Sequence, residues 1–241
     1  MKQDDLSFIS RERRLEIDKI LCESEKKLEG KSFEQIIAES MSLEELRKRL
    51  DINQILRESE KKNEDFFIEN GVLLKYLGSS DNVIIPDGVT CIEMFAFCKC
   101  TGLVSVTIPN SVSKIGARAF ANCTGLTSIT IPESVTEIGP SAFFGCTGLK
   151  SVSIPISVNR ICNCTFHTTG LKSVVIPDSV ESIENYAFSY CPELTSVSIP
   201  DSVTSIGVKV FYCCDNIVIS SPKNSYAIEY AIMNGIDFIV T

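Results

Sequence analysis

A repeat of 23 residues is the feature of this sequence that most restricts its fold. Ile-Pro dipeptides recur, and consecutive prolines in them are 23, 23, 23, 22 and 23 residues apart. Self-similarity at such a fixed period is typical of solenoids, because one unit cannot bury its apolar face until neighbouring units stack on it. The prolines are Pro86, Pro109, Pro132, Pro155, Pro177 and Pro200.

Two further positions keep the same spacing. A leucine precedes most Ile-Pro dipeptides, and a Phe follows each of them; one residue is missing in the fourth unit, between Phe166 and Leu171. Six units in this register predict six stacked coils. The repeated residues are Phe97, Phe120, Phe143, Phe166, Phe188 and Phe211, together with Leu103, Leu126, Leu149, Leu171, Leu194 and the related Ile217.

One unit shows what each position does. In the segment from Leu126 to Pro132, apolar residues stand at the first, fourth and sixth places, a spacing that predicts a short strand with one buried face. Pro132 lacks an N–H and ends the strand. Val135 and Ile138 are expected to point inward on the return path, and Phe143 to fill the coil from a short helical or 3₁₀ turn.

These residues resemble the repeat of BspA-like leucine-rich repeat proteins. The resemblance rests on "CTGLTSITIPESVTEIGPSAFFGCTGL" and "CPELTSVSIPDSVTSIG", and it extends over residues 66–241. It implies an α/β repeat solenoid: a right-handed stack of coils with parallel strands and short helical turns. It also implies a binding role, since members of that family are often surface or secreted adhesion and interaction modules.

The predicted solenoid covers residues 64–241 and has a cap at each end, as stacked coils require. An N-terminal hairpin cap (66–85) is expected around Asn70-Gly71, a type I′ turn sequence, with Phe67, Val72 and Leu74 over the first coil. A C-terminal helix–strand cap (222–241) is expected from a helical pattern that Gly235 ends. The helical pattern comprises Tyr226, Ala227, Tyr230 and Ala231.

Residues 1–63 have a different composition, with 14 basic and 15 acidic residues. Apolar residues recur at helical spacing, and Ser32-Phe-Glu-Gln35 and Ser42-Leu-Glu-Glu45 fit the capping box, so we expect a small all-α segment. It either packs as a helical bundle or collar, or serves for self-association or docking of a partner.

Charge and hydropathy restrict the partners and the compartment. The net charge of −8 argues against binding to nucleic acid. No apolar run is long enough to span a membrane, and the acidic start Met1–Asp5 does not resemble a signal peptide. As written, the chain is predicted to be cytoplasmic; the alternative is an exported or cell-surface protein.

The chain has 11 cysteines, five of which stand at one repeat position shortly after the Phe. A ladder of buried thiols packs as small apolar groups, which is the favoured interpretation over disulfides or a metal site. Cys98-x-Cys100, Cys162-x-Cys164 and Cys213-Cys214 lack the spacing of a zinc site. No cofactor is predicted. The five ladder positions are Cys100, Cys123, Cys146, Cys191 and Cys214, with Thr169 in the fourth coil.

His167 is the single histidine of the chain. A Ser/His/Asp or Cys/His catalytic set would have to use it, with Cys162 or Cys164 nearby, but we interpret it as an exposed loop residue. None of the common nucleotide-binding or metalloprotease motifs occurs. The sequence therefore predicts a protein that is not an enzyme.

The candidate binding surface is the outward side of the predicted strands, lined by hydroxyl side chains. Repeat solenoids commonly bind protein partners on such a surface. A row of acidic residues after the prolines, Asp87, Glu133, Asp178 and Asp201, is interpreted as solubilising. The predicted function is a protein-interaction scaffold, with an exported adhesin or host-interaction protein as the alternative. The candidate residues are Ser105, Thr107, Ser128, Thr130, Ser151, Ser153, Ser173, Ser196 and Ser198.

Overall fold

A computed structural model describes residues 65–241, which belong to one compact unit that begins at Asn63. The expectations for residues 1–63, including their helices and a role in self-association, lie outside the described residues. The described part is a solenoid of parallel strands with one α-helix.

Two rows of short strands run along the solenoid. The first row holds three-residue strands and, at its end, a four-residue strand; the second residue of each strand points inward, because side chains alternate across a strand. The second row holds two-residue strands on the return path, whose second residue is buried. The first row comprises β3 (Asn82–Ile84), β5 (Ser105–Thr107), β7 (Ser128–Thr130), β9 (Ser151–Ser153), β11 (Ser173–Val175), β13 (Ser196–Ser198) and β15 (Val218–Ser221); the second comprises β4 (Cys91–Ile92), β6 (Lys114–Ile115), β8 (Glu137–Ile138), β10 (Arg160–Ile161), β12 (Ser182–Ile183) and β14 (Ser205–Ile206).

Each row pairs in parallel, and equivalent residues of successive coils face one another. Ser105 pairs with Ser128, for example, and Ser128 with Ser151. Each row also has one interruption. The first row forms two sheets, β3-β5-β7-β9 and β11-β13-β15, and the second sheet continues into the C-terminal strand β16 (Asp237–Val240). The second row is divided between β8 and β10. Both interruptions flank the coil that contains β9 and β10, which is the coil with 22 residues.

The third side of each coil is built from β-turns, so the expectation of a short helical or 3₁₀ turn is wrong. Ala142 closes a turn by donating its N–H to the carbonyl of Gly139 (3.2 Å), whereas Phe143 donates to Thr165 of the next coil (2.9 Å). Two residues in each coil, four apart, have positive φ, which a continuous helix excludes. They are Phe95 and Lys99, Arg118 and Asn122, Ser141 and Gly145, Cys164 and Thr168, Tyr186 and Tyr190, Lys209 and Cys213.

A stack of phenylalanine rings forms the centre of the core. The ring of Phe143 lies 5.4 Å from that of Phe120 and 5.5 Å from that of Phe166, and the three planes are nearly parallel. The predicted strand pattern is confirmed in this coil: Leu126 and Ile129 are buried, as are their equivalents in the other coils except Val152, which is half-buried. Val135 and Ile138 point inward as expected.

The N-terminal end is covered by an antiparallel hairpin of β1 (Phe66–Glu69) and β2 (Val72–Tyr76), with Asn70 and Gly71 at positive φ. The expectation that Phe67, Val72 and Leu74 cover the first coil is wrong. Leu73 and Tyr76 are buried instead, because the register shifts between Phe67 and Ile68. The ring of Tyr76 continues the aromatic stack, 5.1 Å from Phe97.

At the C-terminal end, α1 (Tyr226–Asn234) precedes β16 (Asp237–Val240). Ser225 caps α1 by accepting a hydrogen bond from the N–H of Ile228, and Gly235 ends it in the left-handed conformation with φ 65°. Tyr230 lies edge-on to Phe211 at 6.2 Å and closes the aromatic stack. Within the predicted helical pattern, Ala227, Tyr230 and Ala231 are buried, whereas Tyr226 is exposed.

Candidate functional site

The outward residues of the first strand row form two columns, each divided at the interruption between β9 and β11. The two columns together are called the strand face below. The parallel register brings all nine predicted residues into these columns. Seven of them are exposed, and Ser105 and Ser198 are half-buried. One column is Asn82, Ser105, Ser128, Ser151, Ser173, Ser196, Val218 and Asp237; the other is Ile84, Thr107, Thr130, Ser153, Val175, Ser198, Ser220 and Ile239.

The strand face is held by the backbone rather than by its own side chains. Val106 and Ile129 anchor their strands in the core, so the neighbouring hydroxyl groups point outward. Ser105 donates its hydroxyl to the side-chain oxygen of Asn82 at 2.6 Å, and within the described strands this is the one hydrogen bond that joins two side chains of a column. Most of the hydroxyl groups in the columns are therefore turned to solvent and can bind a partner without first breaking internal bonds.

The strand face also has apolar members, which the predicted candidate residues do not include. Ile84 is 74% exposed and Val175 is 70% exposed, and both stand in the column of Thr107 and Thr130. Val175 lies in the middle of the solenoid, directly after the interruption between β9 and β11. The signal was present in the sequence, since both residues occupy the same repeat position as the hydroxyl residues.

Hydrogen bonds between coils use the polar residues at the border of the strand face. Thr127 donates its hydroxyl to the carbonyl of Val104 at 3.3 Å, and the exposed ion pair Lys150–Glu193 has a separation of 2.7 Å. In the acidic row, Glu133 accepts a hydrogen bond from the backbone N–H of Ile156 in the next coil (2.9 Å). This carboxylate therefore stabilises the stacking of coils.

The repeated cysteines form a column of hydrogen bonds along the core. Four of the five thiols donate to the carbonyl oxygen of the repeated Phe in the preceding coil, at 3.0 to 3.2 Å. In the fourth coil, Thr169 takes the position and is buried; its hydroxyl donates to Phe166 and lies 3.2 Å from the Cys191 sulfur. The four donor–acceptor pairs are Cys123–Phe97, Cys146–Phe120, Cys191–Phe166 and Cys214–Phe188.

Burial keeps most of these thiols protonated. It raises the pKa of Cys146 to about 12 and that of Cys164 to about 11, because a thiolate loses its hydration in the core. The hydrogen bond between Cys191 and Cys214 lowers the pKa of Cys191 and raises that of Cys214. If this pair loses a proton, the negative charge therefore lies on Cys191. The ten cysteines of the described part are all free thiols, and Cys213 is exposed.

The pairs of cysteines close in sequence do not form a metal centre in the described residues. Within 65–241, no group of three or more His, Cys, Asp or Glu side chains is arranged to hold a metal ion. Cys162 and Cys164 are both buried, and Cys98 and Cys100 are half-buried.

His167 is buried, which corrects the expectation of an exposed loop residue. It is 2% exposed, and its ring stacks on Phe144 at 4.8 Å and lies 5.2 Å from Tyr190. Its Nδ1 lies 2.6 Å from the Thr168 hydroxyl. Desolvation lowers the pKa of His167 to about 4, so the ring is neutral at physiological pH. His167 follows the repeated Phe166 as Phe144 follows Phe143. Its imidazole contacts the rings of Phe144 and Tyr190, and these three rings form a second aromatic row.

A polar cleft of about 390 Å³ lies at the interruption between β8 and β10. The two charged side chains that line it form ion pairs with residues outside its lining: Glu137 with Lys114 at 3.2 Å, and Arg160 with Glu184 at 3.8 Å. Its lining residues are Thr136, Glu137, Ile138, Asn159 and Arg160.

Within residues 65–241, the helix α1 is too short to span a bilayer.

The repeats of this chain match the model of a known protein family. The model of the BspA type leucine rich repeat region matches residues 72–194 and 159–236 with six copies, which confirms the resemblance seen in the sequence. A leucine-rich repeat protein of T. pallidum has a similar solved structure, with a TM-score of 0.61 and 30% identity over 70% of this chain and 89% of that chain. A leucine-rich cell surface protein of Faecalibacterium prausnitzii shares 23% identity over 63% of this chain and 62% of its own, with a TM-score of 0.41. No curated protein matches the chain significantly.

Proposed function

Because this chain belongs to the BspA-type leucine-rich repeat family, we propose that it is a non-enzymatic interaction scaffold that binds a protein partner on the strand face. Repeat solenoids offer extended surfaces of this kind rather than enclosed pockets. The observation that carries the proposal is the strand face itself: two columns of exposed side chains in uninterrupted register within each sheet.

The chemistry of the strand face defines what kind of partner fits. Its exposed hydroxyl groups donate and accept hydrogen bonds, and its two columns hold one charged residue, Asp237, at the C-terminal end. Val175 and Ile84 add apolar area, which polar side chains alone would not provide. We therefore expect a partner with an uncharged, polar surface and a small apolar projection, and an affinity that depends little on salt.

A pull-down with matched variants of the full chain tests the proposal. Ser196→Arg places a bulky charge on the strand face, whereas Ser205→Arg places the same charge on an exposed residue of the second row in the same coil. A specific partner should be lost with Ser196→Arg and kept with Ser205→Arg. Binding that persists in both Ser196→Arg and Ser128→Arg contradicts the strand face as the binding surface. Loss of binding in Ser196→Arg and Ser205→Arg alike contradicts it too.

The family supports a second proposal, an exported or cell-surface adhesin, since BspA-like proteins are often surface proteins. It differs from the first in where the partner lies. Protease treatment of intact cells distinguishes the two: a surface protein is digested while a cytoplasmic marker stays intact, and a cytoplasmic protein is protected until the cells are lysed.

A further inference from the structure

The C-terminal end of the solenoid carries a dense group of exposed apolar side chains. Fourteen large apolar residues of the described part are exposed, and five of them lie within residues 232–240. Met233 is 84% exposed and Ile239 is 58% exposed. Scattered exposed apolar residues are ordinary, but five of them within nine residues are a concentration that calls for a partner. The group comprises Ile232, Met233, Phe238, Ile239 and Val240.

The strand β16 in this group is the edge of its sheet. It pairs with β15 on one side, and no strand of residues 65–241 pairs with its other side. Thr241 donates its N–H to the carbonyl of Ser221 at 3.1 Å. Alternate residues of a strand turn their backbone groups to opposite sides, so Ile239 also bonds toward β15. Phe238 and Val240 therefore present their N–H and C=O groups to the open side.

Apart from the charge of Asp237 at its first residue, the edge lacks the features by which proteins prevent pairing of sheet edges. Such edges are usually interrupted by a bulge or a proline, or they carry lysine. The segment Asp237–Val240 contains neither proline nor lysine, and its pairing with β15 runs through four residues without a shift in register. A second strand can therefore add along its full length.

We propose that two copies of this chain associate through β16, in an antiparallel pair around a two-fold axis at Ile239. The axis at Ile239 is the register that pairs both open residues of the strand. Phe238 exchanges hydrogen bonds with Val240 of the second copy, and the reverse, which places the two Ile239 residues opposite each other. Because the same strand occurs in each copy, the contact is self-complementary.

This register also fits the side chains. Asp237 lies opposite Thr241 of the second copy, so the acidic side chains are not directly opposed. Phe238 faces Val240, and the paired Ile239 side chains cover each other on the strand face. The sheet of β11, β13, β15 and β16 would continue into its counterpart, so that the strand faces of both copies form one surface.

Electrostatics gives the association a characteristic salt dependence. Each copy carries a net charge of −8, so two copies repel each other. Salt screens this repulsion. The dimer should therefore become tighter as the salt concentration rises, in contrast to a contact held by ion pairs.

Sedimentation velocity of the full chain over a roughly hundredfold concentration range tests the proposal, because dimerisation depends on protomer concentration. Ile239→Lys opposes two like charges at the axis and should weaken the dimer at least about tenfold. Val175→Lys is the matched control, an exposed apolar residue of the same column on an internal strand, and should leave the dimer unchanged. Ile84→Lys, at the other end of the column, should do the same.

Ile239→Cys gives an independent readout of the register. Across the two-fold axis, its Cβ atoms would approach closely enough for a disulfide, so mild oxidation should join residue 239 to residue 239 of the second copy, as identified by mass spectrometry. A monomer at all concentrations overturns the proposal, as does a dimer that Ile239→Lys leaves intact. Loss of association with Ile84→Lys would indicate head-to-tail stacking and also overturns it.

Discussion

The buried histidine leads to a prediction that acid destabilises this protein through one identifiable group. His167 is enclosed between Phe144 and Tyr190, and its pKa is lowered from 6.5 to about 4 by desolvation. In the unfolded chain the ring regains its hydration and an ordinary pKa. The unfolded state therefore binds the proton first as the pH falls.

The sign and size of the effect follow from this difference. The stabilisation by the neutral ring is fully present above pH 6.5 and is lost as the pH falls toward 4. Since one pKa unit corresponds to about 1.4 kcal/mol, the free energy of unfolding should decrease by roughly 3 kcal/mol over this interval. That is a large part of the stability of an ordinary domain.

The assay is unambiguous because the chain has no other histidine. The imidazole C–H resonances in an NMR titration should shift with a midpoint near 4, or remain unshifted until the protein unfolds. Urea denaturation at pH 7 and at pH 4.5 should show the loss for the natural chain. His167→Phe, which repeats the residue of the preceding coil at Phe144, should lose less stability, because carboxylates contribute equally to both proteins.

Two results would refute this reasoning. A histidine midpoint between pH 6 and 7 in the folded protein would show that the ring is hydrated. An equal pH dependence of stability for the natural chain and for His167→Phe would show that the loss has another origin.

Two more predictions concern packing between coils and the state of the thiols. Gly139→Ala should destabilise the protein by about 1 to 3 kcal/mol in urea denaturation, because the new Cβ would lie 2.6 Å from the backbone N of Ala117; Gly102→Ala, where nothing lies within 4 Å, should be neutral or slightly stabilising. Native protein titrated with a thiol reagent should modify Cys213 rapidly and Cys146 only after denaturation, and mass spectrometry of the labelled peptides would contradict this if both reacted alike.

The strand rows and the core could be predicted because their physical signal repeats in every coil. An inward residue such as Ile129 must be apolar in each unit, and an outward one such as Thr130 need not be, so the alternation is visible six times over. The outward columns of the strand face follow from the same alternation. This is why the nine candidate residues fall into register.

The turns could not be predicted, because the residues that determine them carry no local signal. Positive φ is common for glycine and costs most other residues about 1 kcal/mol or more, yet here it occurs at Phe95, Arg118 and Tyr186. Backbone hydrogen bonds to the next coil compensate for this conformation, as when Tyr186 donates to Val208 at 3.1 Å. These bonds exist only after coils stack, so no single unit encodes them.

Three residues lie outside what the repeat pattern specifies. Val175 and Ile239 are apolar in a column that otherwise holds mostly hydroxyl residues, and His167 stands at a position where the repeat specifies no residue. The repeat predicts what the coils share, and so it says nothing about a residue that occurs once. Specific recognition needs features that distinguish one coil from the next, because an unbroken hydroxyl column would bind equally at every register. The single apolar residue in the middle of the strand face and the apolar edge at its end are therefore the positions at which substitutions should discriminate most sharply between partners.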